Sequence, residues 1–184
     1  MLRIALAVTL MLFAVPVHAT EAGWALLRNG GQIVLLRHAN APGAGDPANF
    51  DIENCRTQRN LSERGRLQAR RIGALFAARA EPVEHVYSSR FCRSRETARL
   101  AFGDSLVEEI EALDSLAHEP DKEEERTKAV MELIRDYSGS GNLVFVTDEE
   151  NITALTGSRA REGEAIIVTP NDGGLHITGR IVFN

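Results

Sequence analysis

Four apolar residues in a row, Ile33 to Leu36, end abruptly in Arg37 and His38. An unbroken run of that kind predicts a strand buried on both faces, with charge held at its carboxyl end. The same reading predicts strands over residues 83–89, VEHVYSS, and 142–147, NLVFVT. Between them the apolar spacing changes to three and four. Ala69, Ile72 and Phe76 share one helical face, with Ser62 as the N-cap and Pro82 as the stop. Further helices are predicted at EAGWALLRNGG (21–31), closed by glycines, and at residues 90–103, closed by Gly103. Residues 121–141 form another, with an acidic first turn and Val130, Leu133, Ile134 and Tyr137 on one face. A short helix follows at 151–157. The chain closes in a hairpin, EAIIVTP and LHITGRIVF, around a turn at Asn171–Gly174. Residues 41–60 are rich in Pro, Gly, Asp and Asn and read as a long loop, a kind that often carries function. Strands alternating with helices predict an α/β three-layer sandwich around a mostly parallel sheet with an antiparallel edge.

Composition narrows the class. With 184 residues, 43% hydrophobic and 26% charged, the chain suits one globular domain. Residues 1–19 stand apart: Arg3, an apolar run, then Val17-His18-Ala19 before TEAGW. That order predicts a secretory signal cleaved after Ala19, leaving a domain over 20–184 in the periplasm or outside the cell. The alternative is an N-terminal anchor, for which the apolar run is short. A formal net charge of −5, one unit more negative once Arg3 is removed, disfavours nucleic acid and anionic membranes as partners. The two cysteines, Cys55 and Cys92, allow one bridge in an oxidising compartment. No Cys/His cluster has metal-ligand spacing, and no cofactor is implied.

The chemistry gathers where strands end. In open α/β sheets, ligands bind beyond the carboxyl ends of the strands. The first end carries Arg37 and His38, the second Ser88 and Ser89 with Arg93 just inside the next helix, and the third Asp148. Two arginines and a histidine meeting in space would make an anion site, because the planar guanidinium matches a phosphate.

The ordered set LLRHA, RNLSERGRLQA and SSRFCRSRETA, followed by a strand and NITALTG, resembles the histidine phosphatase superfamily, the phosphoglycerate-mutase-like fold. Arg37-His38-Ala39 resembles the family's R-H-G/A. Ser88-Ser89 through Arg93 to Thr97-Ala98 resembles its S-S-x-x-x-R-x-x-x-T-A, and RNLSERG is similar to its R-P-L-T-x-x-G. The likeness spans about residues 31–157. Size and export bring the chain nearest to periplasmic members such as the lipopolysaccharide core heptose phosphatases. The resemblance implies hydrolysis of a small phosphorylated substrate, such as a sugar or lipopolysaccharide phosphate, through a phosphohistidine on His38 and without a metal. Arg37, Arg59 and Arg93 would hold the phosphoryl oxygens, with Ser89 and Thr97 beside them. Asp114, Glu119 and Asp121 are alternatives for the acid that protonates the leaving oxygen.

One position departs from the pattern. The family has a histidine at the third strand end; this chain has Val146-Thr147-Asp148. An ionised aspartate only accepts hydrogen bonds. At ~4 Å and an effective dielectric near 20, it would repel a phosphate by roughly 4 kcal/mol per unit charge, about a thousandfold in binding or rate. Three readings stay open: Asp148 ionised on Arg37 or Arg93 and slowing turnover, Asp148 protonated and donating, or a pseudophosphatase that only binds a phosphorylated ligand. His118, in a loop able to cover the site, is a candidate replacement donor; His85 and His176 read as structural. A cysteine phosphatase is disfavoured because neither cysteine begins a C-x5-R loop. A Cys55–Cys92 disulfide is expected instead, tying the long loop to the helix after the second strand.

Overall fold

The computed structural model describes residues 17–183, so most of the predicted signal lies outside the described residues. The first helix, α1 (Val17–Leu27), crosses the expected cleavage point after Ala19. It contributes Trp24 and Leu27, both buried, to the core. Strand β1 (Ile33–Arg37) follows, then the long loop, helix α2 (Glu63–Ala78), β2 (Val83–Ser88) and α3 (Cys92–Phe102). Next come β3 (Val107–Glu109), α4 (Glu123–Asp136), β4 (Asn142–Thr147), α5 (Glu149–Thr156) and the hairpin β5 (Glu164–Asn171) and β6 (Gly174–Val182).

The six strands form one sheet in the order β3-β2-β4-β1-β5-β6. The first four run parallel, and β5 and β6 add an antiparallel edge. Parallel β1, β2 and β4 all point their carboxyl ends the same way, which brings His38, Ser89 and Asp148 to one edge of the sheet. Side chains alternate between the two faces. Val34, Leu36, Val144 and Val146 pack with Trp24, Ile72, Phe76 and Ala98. Leu35, Leu143 and Phe145 pack with Val130, Ile134, Ile152 and Leu155 on the other side. Burying both faces is what makes β1 and β4 read as unbroken apolar runs.

The helices form where they were expected, but α1 ends at Leu27 and α4 at Asp136, short of the predicted residues 31 and 141, so Tyr137 lies just beyond α4. Ser62 caps α2, its hydroxyl accepting from the Gly65 amide at 3.0 Å. Gly65 is required for space: a Cβ there would fall 2.1 Å from the Asn40 carbonyl oxygen, so α2 lies hard against the segment after His38. Helix α5 begins at Glu149, two residues before its predicted start, because Glu149 and Glu150 suit a helix's first turn. Strand β3 was not expected. It is three residues, the middle one (Glu108) exposed, paired only with β2 and too short to leave a readable alternation. Among the described residues no helix is long and apolar enough to cross a membrane.

Candidate active site

His38 follows β1, and its backbone is fixed before its side chain is considered. Its amide donates to the Thr147 carbonyl at 3.0 Å, and its carbonyl accepts from the Gly163 amide at 2.9 Å. The next amide, Ala39, donates to Thr97 Oγ1 at 3.0 Å, while that hydroxyl donates to the Arg93 carbonyl at 2.7 Å. Thr97 therefore locks the histidine segment to α3 instead of reaching into the site. The ring is fully buried. Nδ1 lies 2.7 Å from the Ala39 carbonyl oxygen, an acceptor, so Nδ1 carries the proton. In the neutral ring this turns the Nε2 lone pair toward the site, the arrangement a nucleophile needs.

Asp148 is the meeting point. Its Oδ1 accepts from Arg93 Nε at 2.6 Å and lies 3.4 Å from His38 Nε2 and 3.8 Å from Arg59 Nη2. Arg59 Nη2 is itself 3.4 Å from His38 Nε2. Arg93 is 2% exposed and Asp148 1%. Burial alone raises the Asp148 pKa, but His38 at 3.4 Å and the charge and hydrogen bond of Arg93 outweigh it and hold the group far below the usual carboxylate range. His38 adds to that hold only with a proton on Nε2, so the nucleophile is the ring that has given that proton up. Asp148 is therefore a carboxylate at neutral pH. Its Oδ2 is buried and meets no protein donor.

Arg37 is engaged by other partners. Its Nη1 donates to Glu149 and, at 2.8 Å, to the Ala160 carbonyl, while its buried Nε meets no acceptor. The imidazole, Arg59 and Arg93 thus converge at Asp148, with Arg37 held at the rim by the next acid along. Arg93 also stacks its guanidinium over the Phe91 ring at 4.6 Å.

The long loop supplies a group that sequence reasoning missed. Asp46 Oδ2 and Oδ1 accept from Arg93 Nη1 at 3.0 and 3.2 Å, and Oδ1 takes the Arg59 amide at 2.6 Å. Nothing in the loop's sequence separated Asp46 from a solvated acid. His118 Nε2 stands 3.0 Å from Asp46 Oδ2, and its ring packs at a tilt against Phe50, the centroids 4.3 Å apart. The Cys55–Cys92 disulfide is present and fastens the loop beside Arg93, with the two Cα atoms 5.7 Å apart.

The remaining expected residues serve the scaffold. Ser89 Oγ donates to Asp114 Oδ1 at 3.1 Å and accepts from the Phe91 amide at 3.1 Å. Asp114 is buried, and its two oxygens are taken by Ser89 and by the amide and guanidinium of Arg90. That engagement leaves it no free edge for a leaving group. Glu119 pairs with Arg126 and Lys122, and Asp121 lies exposed in the turn before α4. Among the described residues, no group of three or more His, Cys, Asp or Glu side chains could hold a metal.

Residues 33–119 match the family model described as histidine phosphatase superfamily (branch 1). No curated protein sequence matches the chain. A phosphoserine phosphatase mutant from Entamoeba histolytica, solved with phosphoserine, is 13% identical with a TM-score of 0.61, covering 83% of this chain and 98% of its own. The alpha-ribazole phosphatase from Shigella flexneri is 16% identical with a TM-score of 0.55, over 83% and 96% of the two chains. The protein histidine phosphatase SixA, solved with tungstate, is 15% identical with a TM-score of 0.55, over 82% and 96%. At such identities the likeness is one of fold.

Proposed function

We propose that the chain, whose residues 33–119 match the histidine phosphatase superfamily model, is a phosphomonoester hydrolase of that superfamily acting through His38, with turnover held low by Asp148. In the first step His38 Nε2 attacks phosphorus, forming a P–N bond as the P–O bond to the leaving group breaks. The leaving oxygen takes a proton from solvent, and the water that attacks in the second step gives one back. Water then attacks phosphorus, the P–N electrons return to Nε2, and inorganic phosphate departs. Arg59 and Arg93 neutralise the charge on the non-bridging oxygens in both steps. The observation that carries the reading is the ring's orientation: the Ala39 carbonyl holds a proton on Nδ1 and turns Nε2 toward the site, 3.4 Å from Arg59 Nη2 and beside the Asp148 carboxylate that Arg93 grips.

Asp148 weakens this arrangement in two ways. It occupies Arg93 Nε, and its charge opposes an incoming phosphoryl group. The test is a paired assay of the natural protein and Asp148→His on a generic phosphomonoester. The natural form should be slow and the substitution faster; a fast natural form slowed by the substitution would remove the proposal of impairment.

A second reading is a non-catalytic binder of a phosphorylated ligand on the same fold. It is favoured by the two carboxylates, Asp148 and Asp46, that already share Arg93. A trapped, acid-labile phosphohistidine at position 38 separates the two, since binding leaves no covalent mark. The substrate class proposed is a small phosphomonoester, a sugar or lipopolysaccharide phosphate among them. Export is proposed as well, supported by a disulfide of the kind that persists in oxidising compartments.

A further inference from the structure

Residues 42–49, PGAGDPAN, form an exposed stretch of the long loop with one exception. Asp46 turns inward, and its side chain is 3% exposed. An inward charge on an otherwise solvated loop needs a reason, because burying a carboxylate is costly unless it is paired. Its partners are those a phosphate would use. It occupies Arg93 Nη1, the edge of the guanidinium that Asp148 leaves open, and it takes the Arg59 amide. The same loop places the Ala41 carbonyl on Arg59 Nη1 at 2.6 Å. Burial works against its charge, yet the Arg59 amide, Arg93 and His118 together hold its pKa below the ordinary range.

We propose that Asp46 is a built-in anion that closes the phosphoryl site, and that a phosphate ligand enters by exchanging with it. The inference rests on the reading of His38, Arg59 and Arg93 as a phosphoryl site, and adds how that site is regulated. Asp46 and Asp148 differ in how they are held. Asp148 sits between β4 and α5 and cannot leave without unravelling the sheet edge. Asp46 sits on a segment that buries almost nothing else, with Gly43 and Gly45 before it. The loop is anchored downstream, where Phe50 stacks on Phe91 at 5.0 Å, Gln58 accepts from the Cys92 amide at 2.9 Å and Cys55 is bonded to Cys92. Exchange therefore requires only residues 42–49 to swing, while the anchored half keeps them near the mouth. His118, on the far side of Asp46, is the latch.

Inorganic phosphate is the probe. Titration calorimetry on the full chain compares the natural protein with Asp46→Asn, which keeps an acceptor for the Arg59 amide but gives up the charge on Arg93. If the open form is a tenth of the population or less, the substitution tightens phosphate binding by about tenfold or more. Amide hydrogen exchange on the natural protein supplies a reading that needs no variant: saturating phosphate should speed exchange across residues 42–49. Phosphate bound no more tightly by Asp46→Asn, or loop exchange unchanged or slowed by phosphate, would each overturn the inference. Tighter binding with no turnover in any form leaves the exchange standing and removes the hydrolase reading. Turnover with no gain at Asp46→Asn does the reverse.

Discussion

Asp148 and Glu149 are neighbours in sequence, both acidic, and each meets an arginine that the sequence offered for the phosphate, yet their weight differs greatly. Asp148 is buried with Arg93, beside His38. Glu149 lies at the rim, where its two oxygens bridge Arg37 and the exposed Arg159. An ion pair that keeps contact with water, as Glu149 does through Arg159, gains little, because solvent screens it and long side chains must be ordered. A buried pair is different: its partners have lost water, so removing either leaves a stranded charge. Charge alone does not tell which acid governs the site. Position relative to the carboxyl end of β4 does.

The comparison is broken most sharply by Asp148→His. Removing roughly 4 kcal/mol of repulsion should raise turnover of a phosphomonoester by about a hundred- to a thousandfold, read as kcat/KM beside the natural protein. Glu149→Gln should change the same quantity by less than about tenfold. Equal responses would erase the distinction between inner and outer acid.

Stability should follow the same order. Arg93→Met strands the carboxylates of Asp148 and Asp46 together, and chemical denaturation should show a loss of about 3–5 kcal/mol. Asp148→Asn should cost about 1–3 kcal/mol at pH 7. The folded pKa of Asp148 is depressed, so its contribution is complete above its ordinary value of 3.8 and is lost only as pH falls below it. The gap between the natural protein and Asp148→Asn should stay flat from pH 7 to about 4 and close below that. A gap closing near pH 6 would mean that Asp148 titrates there. The smallest effect expected is from Glu149→Gln, within about 1 kcal/mol at pH 7.

Much of the scaffold was legible because burial on both faces leaves a simple mark. The runs at 33–36 and 142–147 gave β1 and β4, and from them the edge that carries His38 and Asp148. The pairing of Cys55 with Cys92 followed from there being two cysteines and from the expected export to an oxidising compartment. What was not legible depends on contacts between distant segments. Asp114 and Asp46 are both loop acids, and their sequence surroundings do not tell them apart. In the fold, Asp114 is pinned by Ser89 and Arg90 while Asp46 reaches Arg93. Arg37 was expected on the phosphate with Arg93, but where its guanidinium points depends on Glu149 and the Ala160 carbonyl, which come more than a hundred residues later. His118 was considered as a donor to substrate; its nearest acid is Asp46.

The central claim is that His38 becomes phosphorylated and that Asp148 limits how often. Rapid quench of the natural protein and of Asp148→His with a labelled phosphomonoester, followed by mapping of acid-labile phosphate, tests it directly. Label at His38, accumulating faster in Asp148→His than in the natural protein, is the predicted result. Label absent from His38 in both proteins, or faster in the natural one, would contradict the account.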